Sequence, residues 1–128
     1  MAIIVVSGPV IIEKGKMLLN KHGDTTFWKF PGGRIEDFTE LSLDEHAKRE
    51  VMEEMGIGID IVRSLSTLMT KKGEDVVILV HFLANRIGEV FPGSDIREWK
   101  WLPIKSLPDD CAPNIKPIIE ECKRLKIK

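Results

Sequence analysis

Apolar residues in this chain fall into short β-branched runs punctuated by glycine and proline, with one stretch that changes to a helical period. Residues 2–7 form a continuous run, read as a strand. Gly8-Pro9 is expected to interrupt it before residues 10–13 resume. Lys14-Gly15-Lys16 is a turn ahead of residues 17–20, which predicts a hairpin. Residues 21–26 are polar and contain a glycine, and read as a loop near the mouth of any site. Residues 27–30 are a short aromatic strand ending at Pro31.

From Ser42 the period changes. Ser42 is an N-cap candidate and Glu45, three residues on, completes a capping box. The helix is expected to run to about Met55, with Gly56 in the left-handed conformation after its end. Leu43, Ala47, Val51 and Met55 repeat every four residues and form the expected buried stripe. His46, one turn before Glu50, could touch the site, but an ordinary surface histidine is the favoured reading.

Strand patterns then return. Residues 59–70 alternate, 71–75 make a polar turn, and 76–84 are the most strongly apolar run, as in a strand buried on both faces. His81 within it reads as a hydrogen-bonded core histidine rather than a ligand. A short strand is expected at 87–91 and another at 99–102, with Trp99 and Trp101 on one face. Residues 104–107 could make one helical turn. Asn114 is an N-cap candidate for a last helix, with Pro117 tolerated in its first turn.

Strands, a helix, strands and a final helix predict an α+β chain with a mixed sheet between helices, one domain spanning 1–128. Composition narrows the partners. With 19 basic against 20 acidic residues, no polyanion such as nucleic acid is advertised. The basic tail from Lys116 reads as a solvated helix end. Cys111 and Cys122 lie outside any CxxC pattern and are read as reduced thiols, without zinc or a disulfide. The N-terminal apolar run is too short to span a membrane, and a cytoplasmic location without membrane contact is expected.

The candidate chemistry lies where glycines meet the helix. Glu50, Glu53 and Glu54 share one helix face within little more than a turn. Three such glutamates are usually a solvated surface. Their crowding also suits a hard divalent cation, which takes oxygen ligands and neutralises their repulsion. Gly32-Gly33 lets backbone approach a ligand. The ordered set, ending in Arg49-Glu50-Val51-Met52-Glu53-Glu54-Met55-Gly56-Ile57, resembles the Nudix hydrolase signature G-x5-E-x7-R-E-U-x-E-E-x-G-U, where U is aliphatic. The second half matches at every specified position. The first half departs: Glu40 follows Gly33 after six residues rather than five, and eight rather than seven separate it from Arg49. Glu40 or Glu36 is left to take the first-glutamate role.

The resemblance implies an α/β/α sandwich and Mg²⁺-dependent hydrolysis, with Mn²⁺ as an alternative, of a nucleoside diphosphate linked to another group. It assigns Glu53 and Glu54 to the metal, and Glu50 either to the metal or to general-base work. Arg49 would orient one of these carboxylates through its planar fork. The Gly32 carbonyl would be a further metal ligand. The family draws its base from the helix or from a later loop, and Glu74, Glu89, Asp95 and Glu98 are the loop candidates. Family members are often homodimers.

The segment Trp28-Lys29-Phe30-Pro31-Gly32-Gly33-Arg34-Ile35-Glu36 resembles the WxFPGGxxE entry of MutT-like nucleoside triphosphate pyrophosphohydrolases. Trp28, Phe30 and Arg34 become substrate-binding candidates, although Phe27, Trp28 and Phe30 in strand context read more readily as core than as a base-stacking wall. Asp109–Asn114 with Pro117-Ile118-Ile119 is similar to their DDFPPAN-x-PxI segment, with one residue missing before Asn114, one added after it, and Cys111 for Phe. Asn114 is therefore either a base reader or a helix cap, with the cap favoured. The substrate expected is a small nucleotide, foremost a triphosphate cleaved to monophosphate and pyrophosphate, in a sanitising role on oxidised nucleotides. Sugar nucleotides, ADP-ribose, dinucleoside polyphosphates and a non-catalytic nucleotide-binding module are the alternatives.

Overall fold

The computed structural model describes residues 1–36, 39 and 42–127. Strands β1 (Ile3–Val10), β2 (Ile12–Glu13), β3 (Lys16–His22) and β4 (Gly33–Arg34) precede helix α1 (Leu43–Met55). Strands β5 (Gly58–Ser64), β6 (Leu68–Lys72), β7 (Asp75–Ile87) and β8 (Ile96–Pro103) follow, and helix α2 (Ile115–Arg124) comes last. A five-stranded sheet runs β4-β1-β7-β5, with β6 also on β7. Strands β1 and β7 are parallel and the other pairings antiparallel. The far edge of β7 is shared, its first half pairing with β6 and its second half with β5. A three-stranded sheet runs β2-β3-β8. The result is an α+β sandwich with mixed sheet between helices.

Alternation builds two cores, one on each side. Val10, Ile12, Met17 and Leu19 pack with Ile115, Ile118, Ile119 and Cys122 of the α2 region. Their immediate neighbours Ile11 and Leu18 pack instead with Val51 and Met55 of α1 and with Ile57 and Ile59. Trp99 and Trp101 both join this second core, as their shared face predicts. Strand β3 thus has apolar residues on both faces because a helix covers each.

Helix α1 keeps its predicted ends. Ser42 Oγ accepts from Glu45 N at 3.4 Å, and Gly56 has φ 69° with its N–H on Met52 O at 3.1 Å. The stripe is shifted, however. Ala47, Val51 and Met55 are buried, but Leu43 is exposed and His46 is 2 % exposed. The cause is Ser7 of β1, whose hydroxyl reaches both Leu43 O and His46. The strand therefore lies under the turn at 46–47, and His46 is interior rather than superficial.

Gly8-Pro9 does not interrupt β1, which pairs with β7 without a break from Ile3 to Val10. Ile35 N donates to Val5 O, so alternate residues 5, 7 and 9 turn their backbone groups toward β4. The described pairing with β4 ends at Ser7, and the missing N–H of Pro9 falls beyond it. Residues 27–30 make only single bridges, Asn20 to Lys29 and Trp28 to Cys111. The run 59–70 divides into β5 and β6, because two partners share one edge of β7. Residues 88–91 form no strand. No helix among the described residues is long and apolar enough to cross a membrane, which says nothing of strand-built barrels.

Candidate active site

Glu50, Glu53 and Glu54 project from the last two turns of α1 into one cleft of about 250 Å³, closed by His22 and residues 93–96. Glu54 is the deepest, its side chain 10 % exposed. Its Oε1 accepts from Gly32 N at 2.8 Å, joining the helix to the glycine turn. Burial pushes the Glu54 carboxyl above the usual range, against the lowering influence of Lys29 and the Gly32 N–H. His22 Nε2 lies 4.0 Å from its other oxygen. Burial also raises the Glu50 carboxyl, opposed chiefly by His46 and Arg49. Arg49 Nη1 reaches Glu53 Oε1 at 3.0 Å and Glu50 Oε1 at 3.5 Å, spanning two of the carboxylates.

Side chains as they stand point each glutamate at a protein partner. Among the described residues, no group of three or more His, Cys, Asp or Glu converges closely enough to hold a cation. The Gly32 carbonyl lies 3.5 Å from Lys29 Nζ. Of the loop acids, Asp95 lines the cleft. Glu98 pairs with Lys21 at 3.7 Å, and Glu89 is almost fully exposed beside Arg86. Glu40 lies outside the described residues, and Glu36 is exposed.

A second cavity, of about 300 Å³, opens beside the glycine turn. Its walls include Phe27 and Phe30, the cations Lys29, Arg34 and Lys72, and the pair His81 and Asn114. Trp28 is instead 5 % exposed in the α2-side core, with Lys21 Nζ 4.7 Å from its ring centroid. Phe27, 42 % exposed, takes the place that the sequence suggested for Trp28. His22 lies in the segment 21–26 expected near the mouth of the site, though as the last residue of β3 rather than in a loop, whereas Lys29 and Lys72 are additions. Lys29 belongs to the segment 28–36, but nothing local marks Lys72, which reaches its cavity through the pairing of β6 with β7.

Asn114 precedes α2 but makes no side-chain cap bond, contrary to expectation. A histidine competes for it. His81 Nδ1 lies 2.8 Å from Ser66 O, a pure acceptor, so Nδ1 carries the proton. Nε2 is then a lone pair, and it accepts from Asn114 Nδ2 at 2.8 Å. This orients the amide: Asn114 keeps its Oδ1 and one N–H for the cavity. His81 is the satisfied core histidine that the sequence suggests, T-stacked on Phe30 at 5.5 Å.

Burial holds the His81 imidazole below its usual 6.5. The unfolded chain therefore takes up a proton near pH 6.5 that the folded chain refuses, and stability falls as pH drops below that value. Melting temperature is expected to decline more steeply from pH 7.5 to 5.5 in the parent than in His81→Gln. Parallel profiles would show that His81 is not the group responsible. The two cysteines are free, and burial pushes the Cys122 thiol up to about 11.

The NUDIX domain family model matches residues 1–122. A Bacillus subtilis (strain 168) protein named "Putative 8-oxo-dGTP diphosphatase" is 28 % identical over 114 residues, 89 % of this chain and 75 % of that protein. The crystal structure of a MutT NUDIX hydrolase from Burkholderia pseudomallei superposes with a TM-score of 0.84 at 22 % identity, covering 94 % of this chain and 98 % of that one. A MutT protein from Methanosarcina mazei Go1 gives 0.83 at 23 % identity, covering 99 % and 97 %.

Proposed function

This chain belongs to the Nudix hydrolase family, and from that premise we propose that it is a MutT-like nucleoside triphosphate pyrophosphohydrolase acting on oxidised purine nucleotides. Water adds across the α–β anhydride, giving a nucleoside monophosphate and pyrophosphate. The observation that carries this reading is the Asn114 amide, oriented by His81 in the wall of a cavity beside the acidic cleft. An acceptor beside a donor pairs with a base edge offering a donor beside an acceptor. The N7–H and O6 of 8-oxoguanine present that pattern, whereas N7 and O6 of guanine are both acceptors. The name carried by the Bacillus subtilis relative points to the same substrate.

Nudix hydrolases generally use divalent metal ions, and the residues here suit one. Three carboxylates line one cleft, and their oxygen donors match Mg²⁺ or Mn²⁺. Glu53, Glu54 and the Gly32 carbonyl would hold the ion. When bound it would neutralise the pyrophosphate and make the attacking water more acidic. Glu50, with Arg49 Nη1 3.5 Å from its carboxylate, would accept the proton of that water. Lys29, Arg34 and Lys72 supply positive charge toward the phosphates, and Phe27 and Phe30 give the base an apolar wall.

An assay of Mg²⁺-dependent hydrolysis across 8-oxo-dGTP, dGTP, dATP, ADP-ribose, sugar nucleotides and dinucleoside polyphosphates tests this. Preference for 8-oxo-dGTP over dGTP is expected, and Asn114→Ala should cut kcat/KM for 8-oxo-dGTP by about 10- to 100-fold with little change for dGTP. Preferential cleavage of ADP-ribose would replace the triphosphate reading. Nucleotide binding without turnover would make the chain a binding module.

A further inference from the structure

We propose that His46 is a positioning residue that fixes the Glu50 carboxylate and ties it to the glycine turn. This rests on the reading of Glu50 as part of the catalytic cleft. A buried chain of contacts carries the inference. Ser7, fully buried on β1, has its Oγ 2.6 Å from His46 Nδ1 and 3.1 Å from Leu43 O. On the other side of the ring, His46 Nε2 lies 3.3 Å from Arg34 O and 3.5 Å from Glu50 Oε1.

The proton arrangement follows from the partners. Arg34 O and ionised Glu50 are acceptors only, so Nε2 must carry a proton whatever happens at Nδ1. The Ser7 hydroxyl can serve Nδ1 as donor or acceptor, since Leu43 O is the alternative acceptor for its proton. The ring is thus held from behind by the strand and presents one N–H to two oxygens. One belongs to β4 and the other to α1. Gly33 completes the fixation, because a Cβ there would run into the Glu50 carboxylate. Glu50 therefore lies against bare backbone, with His46 Nε2 and Arg49 Nη1 each 3.5 Å from its Oε1. A carboxylate free to rotate spends only part of its time in productive geometry, and groups that orient a reacting carboxylate are worth about 10- to 100-fold in activity.

Two isosteres separate positioning from packing. His46→Gln places an amide N–H near the Nε2 position and keeps a donor for Glu50. His46→Asn keeps a polar atom for Ser7 near the Nδ1 position and has no group that reaches Glu50. The expected result is kcat lowered about 10- to 100-fold in His46→Asn with KM within a few-fold, and largely retained in His46→Gln. Equal losses in both variants would overturn the proposal, as would full activity in His46→Asn.

A measurement without turnover stands beside it. In the metal-free parent, the slowly exchanging Nε2–H of His46 should give a resolved proton–nitrogen correlation, and Glu50→Gln should shift it. An unshifted resonance, or none, would overturn the proposal even if His46→Asn failed to fold. If the parent itself hydrolysed no nucleotide but the resonance shifted, the hydrolase reading would fail while the His46–Glu50 contact stood.

Discussion

Glu54→Gln is expected to lower kcat by about 10²- to 10³-fold while leaving the melting temperature at or above that of the parent. The carboxylate is nearly enclosed, and burial opposes its ionisation. Its hydrogen bond to the fold comes from the Gly32 N–H, which an amide oxygen also accepts. The substitution therefore removes charge from a place where charge is costly and preserves the hydrogen bond. What it cannot preserve is the negative charge that a divalent cation requires. Glu53→Gln separates the same two effects from the other side. Glu53 is 58 % exposed and pairs with Arg49, so its loss should change stability by no more than about 0.5 kcal/mol while activity again collapses. Steady-state rates with Mg²⁺ and calorimetric melts decide both. Activity within a few-fold of the parent in both variants would remove the cleft carboxylates from the reaction.

Gly8→Ala should destabilise the fold by about 2–4 kcal/mol, a fall of about 10 °C in melting temperature. Here two backbones touch. A Cβ on Gly8 would strike the Pro31 carbonyl oxygen, and one on Gly32 would strike Ser7 O and the Gly8 Cα. Neither neighbour is a flexible side chain that could swing away. Gly32 also has φ 133°, which L side chains rarely adopt. Pushing the turn off β1 would carry the Gly32 N–H away from Glu54, so activity should fall with stability. A variant melting within about 2 °C of the parent would show that the approach is not tight.

Helix α1 and its glutamates were legible because their signals are local. Ser42, Glu45 and Gly56 mark the ends within one turn each, and the spacing of Glu50, Glu53 and Glu54 puts them on one face whatever surrounds the helix. Features set by distant parts of the chain were not legible. Gly8-Pro9 looks like a strand breaker until Pro31 is seen against it. His46 looks superficial because nothing near it predicts Ser7 beneath. Asn114 has the residue type and position of a cap, yet His81, 33 positions away, takes its amide. Residues 59–70 read as one strand because alternation cannot show that β7 is long enough for two partners.

The burial of β3 on both faces has a consequence for how the chain finds its pairing. Where one face of a strand is wet, a slip of one residue exposes apolar side chains and is rejected. Around Met17, Leu18 and Leu19 a slip would only exchange one apolar residue for another between the two cores, and hydrophobicity alone penalises it weakly. The discrimination must come from the connection. Lys14 and Gly15, with φ of 52° and 75°, form a two-residue link of the left-handed kind that matches strand twist, and they lock Glu13 opposite Lys16. A surface turn remote from the cleft thus decides which side of the sandwich each of these residues enters.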